Sequence, residues 1–287
     1  MNKKILIIGA NGFLGYNLAK KIKNIGCKIV LLCKKKNNSL KPIKQAEYIY
    51  CDISNFKKLK KKLIGDFDYV INFSGNINHQ NKSQTYQTHY NGFKKLIRVL
   101  ENKKIKLFIQ AGSSLEYGKY SSPQKERIIS RPISHYGRAK YLASRFLMNK
   151  KKNFKYIILR LYQIYGPYQK KDRLIPIVIN SCLKNKKFNC TEGNQKRDFL
   201  YIDDLIELLI KIIKTKKIKS DVYNVGCGRA VAVKNVIEKI NLIIKRGKPN
   251  FGGIIMRKDE VMSLYPNIKK IKKTFNWNPK TSMFKGL

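Results

Sequence analysis

The sequence predicts an α/β protein built on a doubly wound parallel sheet, with a smaller mixed C-terminal lobe. The first observation is the apolar run at 5–8, which shows no alternation and is typical of a strand buried on both faces. The second is that strand-like and helix-like segments alternate from there to about residue 162. This pattern indicates βαβ units joined by right-handed crossovers.

The first region contains six predicted strands and four predicted helices. Strands are expected at 4–8, 28–33, 47–50, 67–73, 105–111 and 154–162. Helices are expected at 13–25, 54–63, 83–102 and 134–151, the last two with apolar stripes at helical spacing.

The spacing changes after Gly166-Pro167, where elements become shorter. Strands are expected near 188–190, 197–201, 221–225 and 251–256, and helices near 174–184, 203–214, 231–245 and 266–275. We therefore expect a cofactor-binding domain at 1–165 and a mainly substrate-binding lobe at 166–287, from which about 198–225 returns to the first domain. Ligands of doubly wound folds bind at the carboxyl edge of the sheet, where this lobe would close.

Three glycines three residues apart follow the first strand, at Gly9, Gly12 and Gly15, and helical periodicity continues after them. A turn without side chains lets a pyrophosphate approach the backbone N–H groups and the positive end of the helix. At the first strand-to-helix turn of the chain, the motif predicts a dinucleotide site in a Rossmann domain.

Tyr136 and Lys140 lie four residues apart, about 120 residues downstream of the glycine turn. On a helix this spacing places both side chains on one face. A phenol is a poor proton donor at neutral pH because its ordinary pKa is near 10, and a neighbouring ammonium lowers that pKa. The pair is therefore a candidate acid/base.

The charge balance is strongly basic, with 62 Lys and Arg against 17 Asp and Glu and a formal net charge of +45. Such a balance first suggests a nucleic-acid binder. The lysines, however, are spread over the whole chain, and Lys, Asn and Ile are abundant together, as an AT-rich genome would produce. We favour this compositional bias over a selected polyanion-binding surface and expect no nucleic-acid partner.

The six cysteines form no C-x-x-C motif and no Cys/His spacing of a metal site. We therefore expect no metal and no disulfides, which favours a reducing cytoplasm. The apolar run before Gly9 is too short for a signal peptide, and the strongest apolar stretch, at 205–213, is too short to span a bilayer.

Five motifs in order resemble the extended short-chain dehydrogenase/reductases, in particular the NAD-dependent epimerase/dehydratase family that acts on nucleotide sugars. They are Gly9-x-x-Gly12-x-x-Gly15, Ser113-Ser114-Leu115-Glu116-Tyr117-Gly118, Tyr136-x-x-x-Lys140, the run from Leu159 to Pro167, and the run from Arg197 to Asp204. Tyr223-Asn224-Val225-Gly226 and Trp277-Asn278-Pro279 also match, so the resemblance covers essentially the whole chain.

The resemblance implies roles for individual residues. Ser113 would hold the reacting sugar oxygen, Tyr136 would move its proton, and Lys140 would tune Tyr136 and bind the nicotinamide ribose. Expected cofactor contacts are Gly9, Asn11, Gly12, Phe13, Leu14, Gly15, Lys34, Asp52, Ile53, Phe73, Ser74, Gly75, Asn91, Tyr136 and Lys140. Expected substrate contacts are Ser114, Gln163, Leu174, Arg197 and Arg257, the two arginines on the diphosphate.

Departures from the family pattern narrow the reaction. Family dehydratases carry Asp-Glu directly after the catalytic hydroxyl residue, whereas this chain has Ser114 and Leu115 there, and Leu115 can transfer no proton. Dehydration is therefore not expected. The family Asn before Tyr-Gly-Pro is replaced by Gln163, and Asn78-His79 is offset by one from the usual His, so His79 is given no role.

The end of the second strand indicates the cofactor. An NAD-preferring site carries an acidic residue there, whereas this chain continues with Cys33 and then Lys34, Lys35 and Lys36. Three ammonium groups could bind a 2′-phosphate. We expect NADP rather than NAD, with a solvated lysine loop of no cofactor role as the alternative.

Taken together, these features predict NADP-dependent reduction of a nucleotide-linked 4-keto-deoxy sugar in bacterial glycan precursor synthesis. The alternative is a nucleotide-sugar 4-epimerase, and the non-enzyme alternative is a dinucleotide-binding sensor, which Tyr136 argues against. Tyr86, Tyr90, Tyr141 and Arg145 lie off the apolar stripes of the helices at 83–102 and 134–151. Because aromatics and Arg are enriched at interfaces, we expect a homodimer through these helices.

Overall fold

Strand β1, Lys4–Ile8, lies inside a parallel sheet of seven strands in the part of the chain that the structure describes. The computed structural model describes residues 3–76, 81–149, 152–257 and 260–287. The other sheet strands are β2 Lys28–Cys33, β3 Ala46–Tyr50, β4 Phe67–Asn72, β5 Ile105–Ser113, β6 Lys155–Leu161 and β11 Asp221–Val225.

The strand order is β11-β6-β5-β4-β1-β2-β3. β1 pairs in parallel with both β2 and β4, so successive strands are added on one side of β1 up to β3 and on its other side from β4 onward. This is the topological switch point, where doubly wound sheets bind their ligands. The predicted doubly wound sheet is confirmed.

Helices of the first region alternate with these strands. They are α1 Phe13–Ile22, extended by a 3₁₀ turn at Lys23–Ile25, then α2 Phe56–Lys62, α3 Lys82–Tyr86, α4 Gly92–Leu100 and α5 His135–Asn149. The helix expected at 83–102 is interrupted, because a π-helical turn at Gln87–Asn91 separates α3 from α4. The end expected for α5 at 150–151 lies outside the described residues.

Short elements make up most of the remaining chain. Its strands are β7 Gln163–Tyr165, β8 Lys187–Asn189, β9 Lys196–Arg197, β10 Phe199–Tyr201, β12 Val231–Ala232, β13 Lys248–Asn250 and β14 Ser263–Leu264. Its helices are α6 Leu174–Leu183, α7 Ile202–Lys214, α8 Val233–Ile244, α9 Lys269–Phe275 and α10 Met283–Gly286.

The strand expected at 251–256 is wrong. The strand is β13, which pairs with β8, and the chain then turns at Gly252 with a φ of +79°. Left-handed backbone is available to glycine without steric cost, so the Phe251-Gly252-Gly253 segment ends the strand instead of continuing it. The single strand expected at 197–201 is divided into β9 and β10 by Asp198.

Contacts divide the chain into two compact units. Unit 1 comprises Met1–Lys119, Glu126–Leu161 and Ile206–Tyr223, and unit 2 comprises Tyr120–Lys125, Tyr162–Leu205 and Asn224–Leu287. The core of unit 1 joins the sheet to helices α2, α4 and α5 through buried residues that include Leu6, Val70, Phe93, Phe108 and Leu147. The core of unit 2 joins α6 and α8 through Val178, Cys182, Val236 and Ile240.

Candidate active site

The glycine turn after β1 is packed too tightly for any side chain. Gly9 has a φ of +77°, and a Cβ atom there would lie 2.9 Å from the backbone of Phe73 and Ser74. A Cβ on Gly15 would lie 2.6 Å from the Gly9 carbonyl oxygen. At Gly9 and Gly15 the turn therefore has no room for a side chain beside the start of α1, which suits the close approach of a dinucleotide pyrophosphate to the backbone.

The loop after β4 lies against this turn and is held by a buried amide. Asn72 Oδ1 accepts hydrogen bonds from the Ser74 backbone N–H at 3.0 Å and from Ser74 Oγ at 2.6 Å. The predicted cofactor residues Phe73 and Ser74 thus lie beside Gly9 at the switch point, and Gly75 follows them in the same loop.

The ends of β2 and β3 carry two of the predicted cofactor contacts, Lys34 and Asp52. Lys34 Nζ forms an ion pair with Asp52 Oδ2 at 2.8 Å, and the Ser54 backbone N–H donates to Asp52 Oδ1 at 2.9 Å. Partial burial alone would raise the pKa of Asp52, but the Lys34 ammonium and the Ser54 donors outweigh it and lower that pKa. Asn11 Nδ2 donates to the Lys35 carbonyl at 2.8 Å, which ties the lysine loop to the glycine turn.

Ser113 ends β5 and caps the short helical turn at Ser114–Glu116. Its Oγ accepts from the Leu115 backbone N–H at 3.2 Å, and its own N–H donates to Glu116 Oε1 at 2.8 Å. Glu116 is fully buried, and its Oε2 accepts from Arg160 Nε at 3.1 Å. The neighbouring glycine, Gly112, leaves room for this carboxylate, because a Cβ there would lie 2.7 Å from Glu116 Oε1.

Tyr136 and Lys140 share one face of α5, as their spacing predicts. Lys140 Nζ lies 5.9 Å from the centre of the Tyr136 ring and donates to the Ala111 carbonyl of β5 at 2.8 Å. Burial lowers the pKa of Lys140 to about 8, against the opposing effect of the Glu116 carboxylate. Gly137 sets the approach of α5, because a Cβ there would lie 2.4 Å from the Leu115 carbonyl oxygen.

A buried polar chain, which the sequence reading missed, links the cofactor loop to Lys140. Asn72 Nδ2 donates to Gln110 Oε1 at 2.8 Å, and Gln110 Nε2 donates to the Ala111 carbonyl at 3.1 Å. The signal was available, since each amide interrupts an apolar strand near its carboxyl end and buried polar groups need partners.

His89 is a second residue that the sequence reading missed. It is buried in the π-helical turn, and its ring meets Tyr136 edge to face with ring centres 5.0 Å apart. The predicted residue of this turn, Asn91, instead directs Nδ2 to Gln87 Oε1 at 3.3 Å. Asn78 and His79 lie outside the described residues.

In unit 2, the two arginines predicted to contact the substrate bond to the same carboxylate. Arg197 bonds to Glu260, and Arg257 donates to Glu260 Oε2 at 2.8 Å. Arg197 also donates to the carbonyls of Lys196 and Val261, each at 2.7 Å. Burial lowers the pKa of Arg197, although Glu260 opposes this.

The residue after Arg197 is structural. Asp198 is fully buried and accepts from the backbone N–H groups of Cys227 at 2.7 Å and Arg229 at 3.1 Å. Burial raises its pKa to about 6. Of the other predicted substrate contacts, Gln163 lies exposed on β7, Leu174 begins α6, and Ser114 of unit 1 is buried.

Among the residues that the structure describes, no group of three or more His, Cys, Asp or Glu side chains is arranged to hold a metal ion. No helix of the described chain has the length and apolar character needed to cross a membrane.

Known proteins resemble the chain over nearly its full length. CDP-abequose synthase of Salmonella muenchen is 27% identical, with 100% of this chain and 96% of the relative covered. A putative UDP-glucose 4-epimerase of Methanocaldococcus jannaschii is also 27% identical, covering 99% and 95%.

Solved structures give the same fold. A UDP-glucuronic acid 4-epimerase of Bacillus cereus, in complex with a fluorinated UDP-glucuronic acid and NAD, has a TM-score of 0.89 at 25% identity, with 99% of this chain and 96% of that chain covered. The UDP-glucose 4-epimerase of Thermotoga maritima also has a TM-score of 0.89, at 23% identity and the same coverage.

The family model for NAD dependent epimerase/dehydratases matches residues 5–226, which include the glycine turn, Ser113, Tyr136 and Lys140. The resemblance inferred from the motifs is confirmed: the chain is an enzyme that belongs to the NAD-dependent epimerase/dehydratase family.

Proposed function

We propose that this enzyme uses NADPH to reduce the 4-keto group of a nucleotide-linked deoxy sugar that serves as a precursor of bacterial glycans. The observation that carries the proposal is which side chains near Ser113 can transfer a proton. Tyr136 and Lys140 supply one acid/base. The two positions directly after Ser113 are Ser114 and Leu115, and they offer no second acid and base for eliminating water. A site with one proton donor is suited to net ketone reduction.

The residues of unit 1 can supply the proton side of that reaction. The bound dinucleotide provides the hydride for the carbonyl carbon. Tyr136 donates the proton that the carbonyl oxygen takes up, and the ammonium of Lys140 stabilises the negative charge left on the phenol oxygen. Ser113 Oγ donates a hydrogen bond to the same sugar oxygen and orients it. The Leu115 N–H already holds Ser113 Oγ, and the Ala111 carbonyl already holds Lys140 Nζ. Both groups therefore need little rearrangement to reach the reacting geometry.

The nucleotide-sugar substrate class is supported by the relatives. CDP-abequose synthase and the 4-epimerases carry names of nucleotide-linked sugars. Arg197 and Arg257 are suited to the diphosphate of such a substrate, because a guanidinium offers two parallel N–H donors to phosphate oxygens.

The choice between NADP and NAD depends on the lysine loop. Lys34 is paired with Asp52, so within this loop Lys35 and Lys36, both exposed, are the candidates for a 2′-phosphate. The solved Bacillus cereus 4-epimerase reported above is in complex with NAD, which favours that cofactor. We retain NADP because the end of β2 lacks the carboxylate that repels a 2′-phosphate.

The experiment is a screen of CDP-, dTDP-, GDP- and UDP-4-keto-6-deoxyglucose with NADPH and NADH. The proposal expects one sugar to oxidise NADPH stoichiometrically, with a higher kcat/KM than for NADH. A variant with Lys35 and Lys36 changed to Ser should lose that preference, whereas Lys44→Ser and Lys60→Ser, combined as a matched control, should keep it. Equal use of NADH by the wild type would contradict the NADP assignment.

A nucleotide-sugar 4-epimerase is the second candidate, and the similarity to named 4-epimerases favours it. An epimerase returns the hydride to the same sugar, so it consumes no reduced cofactor. Interconversion of UDP-glucose and UDP-galactose with only catalytic NAD would establish this reading in place of the reductase.

We propose that the enzyme is a homodimer assembled through α3, α4 and α5. Arg145 donates to the Tyr141 hydroxyl at 3.2 Å, and the Tyr86 and His135 rings lie 6.5 Å apart, so both helical segments carry ordered aromatic surface. Such residues are enriched at interfaces. Sedimentation at moderate salt should give twice the 33.4 kDa chain mass, and a single species at 33.4 kDa would contradict the dimer.

We also place the enzyme in the cytoplasm. All six cysteines are unpaired in the structure, which suits a reducing compartment. Fractionation of the producing cell should recover the activity with cytoplasmic markers, and recovery with envelope fractions would contradict this location.

A further inference from the structure

We propose that His89 is a positioning residue that holds the ring of Tyr136 and ties it to the loop after β4. The proposal rests on the proposed function, because Tyr136 is the proton donor of that reaction. It adds a physical link between the residues that face the dinucleotide and the residue that delivers the proton.

The first observation is the contact with Tyr136. The two rings meet at an interplanar angle of 82°, with centres 5.0 Å apart. An edge-to-face arrangement at this distance is favourable, because the positive edge of one ring meets the negative face of the other. His89 is buried, so this contact is shielded from water and restricts the orientation of the phenol.

The second observation is the contact with the loop at residues 73–76. His89 Nε2 lies 3.0 Å from the Asn76 carbonyl oxygen and 3.3 Å from the Asn76 backbone nitrogen. Either tautomer of the ring can therefore bond to Asn76. A Cβ on Gly75 would lie 2.6 Å from His89 Cε1, so this loop approaches the imidazole as closely as a glycine permits.

The third observation is the backbone that presents the ring. His89 lies in the π-helical turn Gln87–Asn91, where one extra residue is inserted between α3 and α4. π-Helical turns inside longer helices occur frequently at functional sites. Gly92 closes the turn, and a Cβ there would lie 3.1 Å from the Gln87 carbonyl oxygen.

Three variants separate the two contacts. His89→Phe keeps a ring against Tyr136 but loses the polar contact with Asn76, and His89→Gln keeps an amide that can reach Asn76 but loses the ring. His89→Ala loses both. The matched control is Thr88→Ala, which changes the preceding residue of the same π-helical turn, whose hydroxyl donates to the Gln84 carbonyl at 2.9 Å.

The readouts are kcat and KM in the NADPH-oxidation assay, and the Kd for NADPH and NADH measured by calorimetry without sugar. We expect His89→Gln to lower kcat roughly five- to tenfold, the factor that an aromatic edge-to-face contact supplies, with an unchanged Kd. We expect His89→Phe to keep kcat near the wild-type value and to raise the Kd roughly fivefold, as the loss of one hydrogen bond would do. His89→Ala should show both effects, and Thr88→Ala neither.

A merely structural role gives a different pattern. If kcat and Kd change together in all three variants in proportion to the loss of Tm, or if none of them changes, the proposal is overturned. The calorimetric arm also separates this proposal from the proposed function. If no keto sugar oxidises NADPH in the wild type, the reductase assignment fails, whereas the contrast in Kd between His89→Phe and His89→Gln still tests the link to the loop.

Discussion

The two units hold their functional charges in different ways. In unit 1, Lys140 bonds to the Ala111 carbonyl, and Glu116 accepts from the Ser113 N–H as well as from the Arg160 side chain, so β5 supplies a main-chain partner to both groups. In unit 2, Arg197 and Arg257 meet on the side chain of Glu260, although Arg197 also uses main-chain carbonyls. The proposed acid/base lysine is therefore held by the main chain of the sheet, whereas the two arginines share a side-chain carboxylate. We interpret this difference as rigidity for proton transfer and adaptability for binding.

The largest effect should follow from removing the ammonium of unit 1. Lys140→Met should lower kcat by about 100-fold or more, the scale of general acid catalysis, because the charge left on Tyr136 loses its stabilising partner. Lys103→Met is the matched control, since Lys103 also bonds a backbone carbonyl, that of Gly65 at 3.0 Å, at the amino end of the sheet. Equal losses in the two variants would show a general effect of removing a lysine and would contradict the catalytic role.

The next effect concerns stability and compares the two carboxylates. Glu116→Gln should reduce the free energy of unfolding by about 3 kcal/mol, because Arg160 would be left charged and buried. Glu260→Gln should cost only about 1 kcal/mol, since the buried Arg197 keeps its bonds to the carbonyls of Lys196 and Val261, and Arg257 is 79% exposed to water. Urea unfolding of both variants measures this contrast, and equal losses would show that the two units hold their charges alike.

A smaller effect should separate the two arginines in substrate binding. Arg197→Ala should raise the KM for the nucleotide sugar roughly tenfold with little change in kcat, as expected when ground-state and transition-state binding are lost equally. Arg257→Ala should raise this KM less, because water competes with the substrate for the exposed guanidinium of Arg257. Steady-state kinetics of both variants decides the point, and a fall in kcat with unchanged KM for Arg197→Ala would place that residue in the chemical step instead.

The smallest effect is in the pH dependence. Burial lowers the pKa of Lys140 to about 8, so its ammonium is lost above that pH and kcat should fall there. The Glu116 carboxylate favours the ammonium, so Glu116→Gln should lower this pKa and move the descending limb to lower pH. A pH profile of kcat for each protein checks this, and a limb that moves to higher pH would contradict the electrostatic argument.

Motif spacing in unit 1 predicts the close packing of the glycine turn and the shared helix face of Tyr136 and Lys140, and the structure shows both. Gly9, Gly15, Tyr136 and Lys140 act through neighbours close in sequence or through the regular geometry of a helix and a parallel sheet. Glu260 could not be predicted, because 63 residues separate it from Arg197 and no periodicity relates them. His89 was missed for a local reason, since a π-helical turn shifts the helical register and has no reliable sequence signal.

The measurement that tests the central claim most directly follows the hydride and the proton together. Wild-type enzyme and Tyr136→Phe are mixed with NADPH dideuterated at C4 and the sugar identified by the screen. The account predicts that the wild type forms one oxidised cofactor per sugar, with one deuterium on the reduced carbon. It predicts that Tyr136→Phe binds NADPH as tightly as the wild type does. The kcat of this variant should be lower by about 100-fold or more. A deuterium-free epimer formed without net NADPH oxidation, or near-wild-type turnover in Tyr136→Phe, would contradict it.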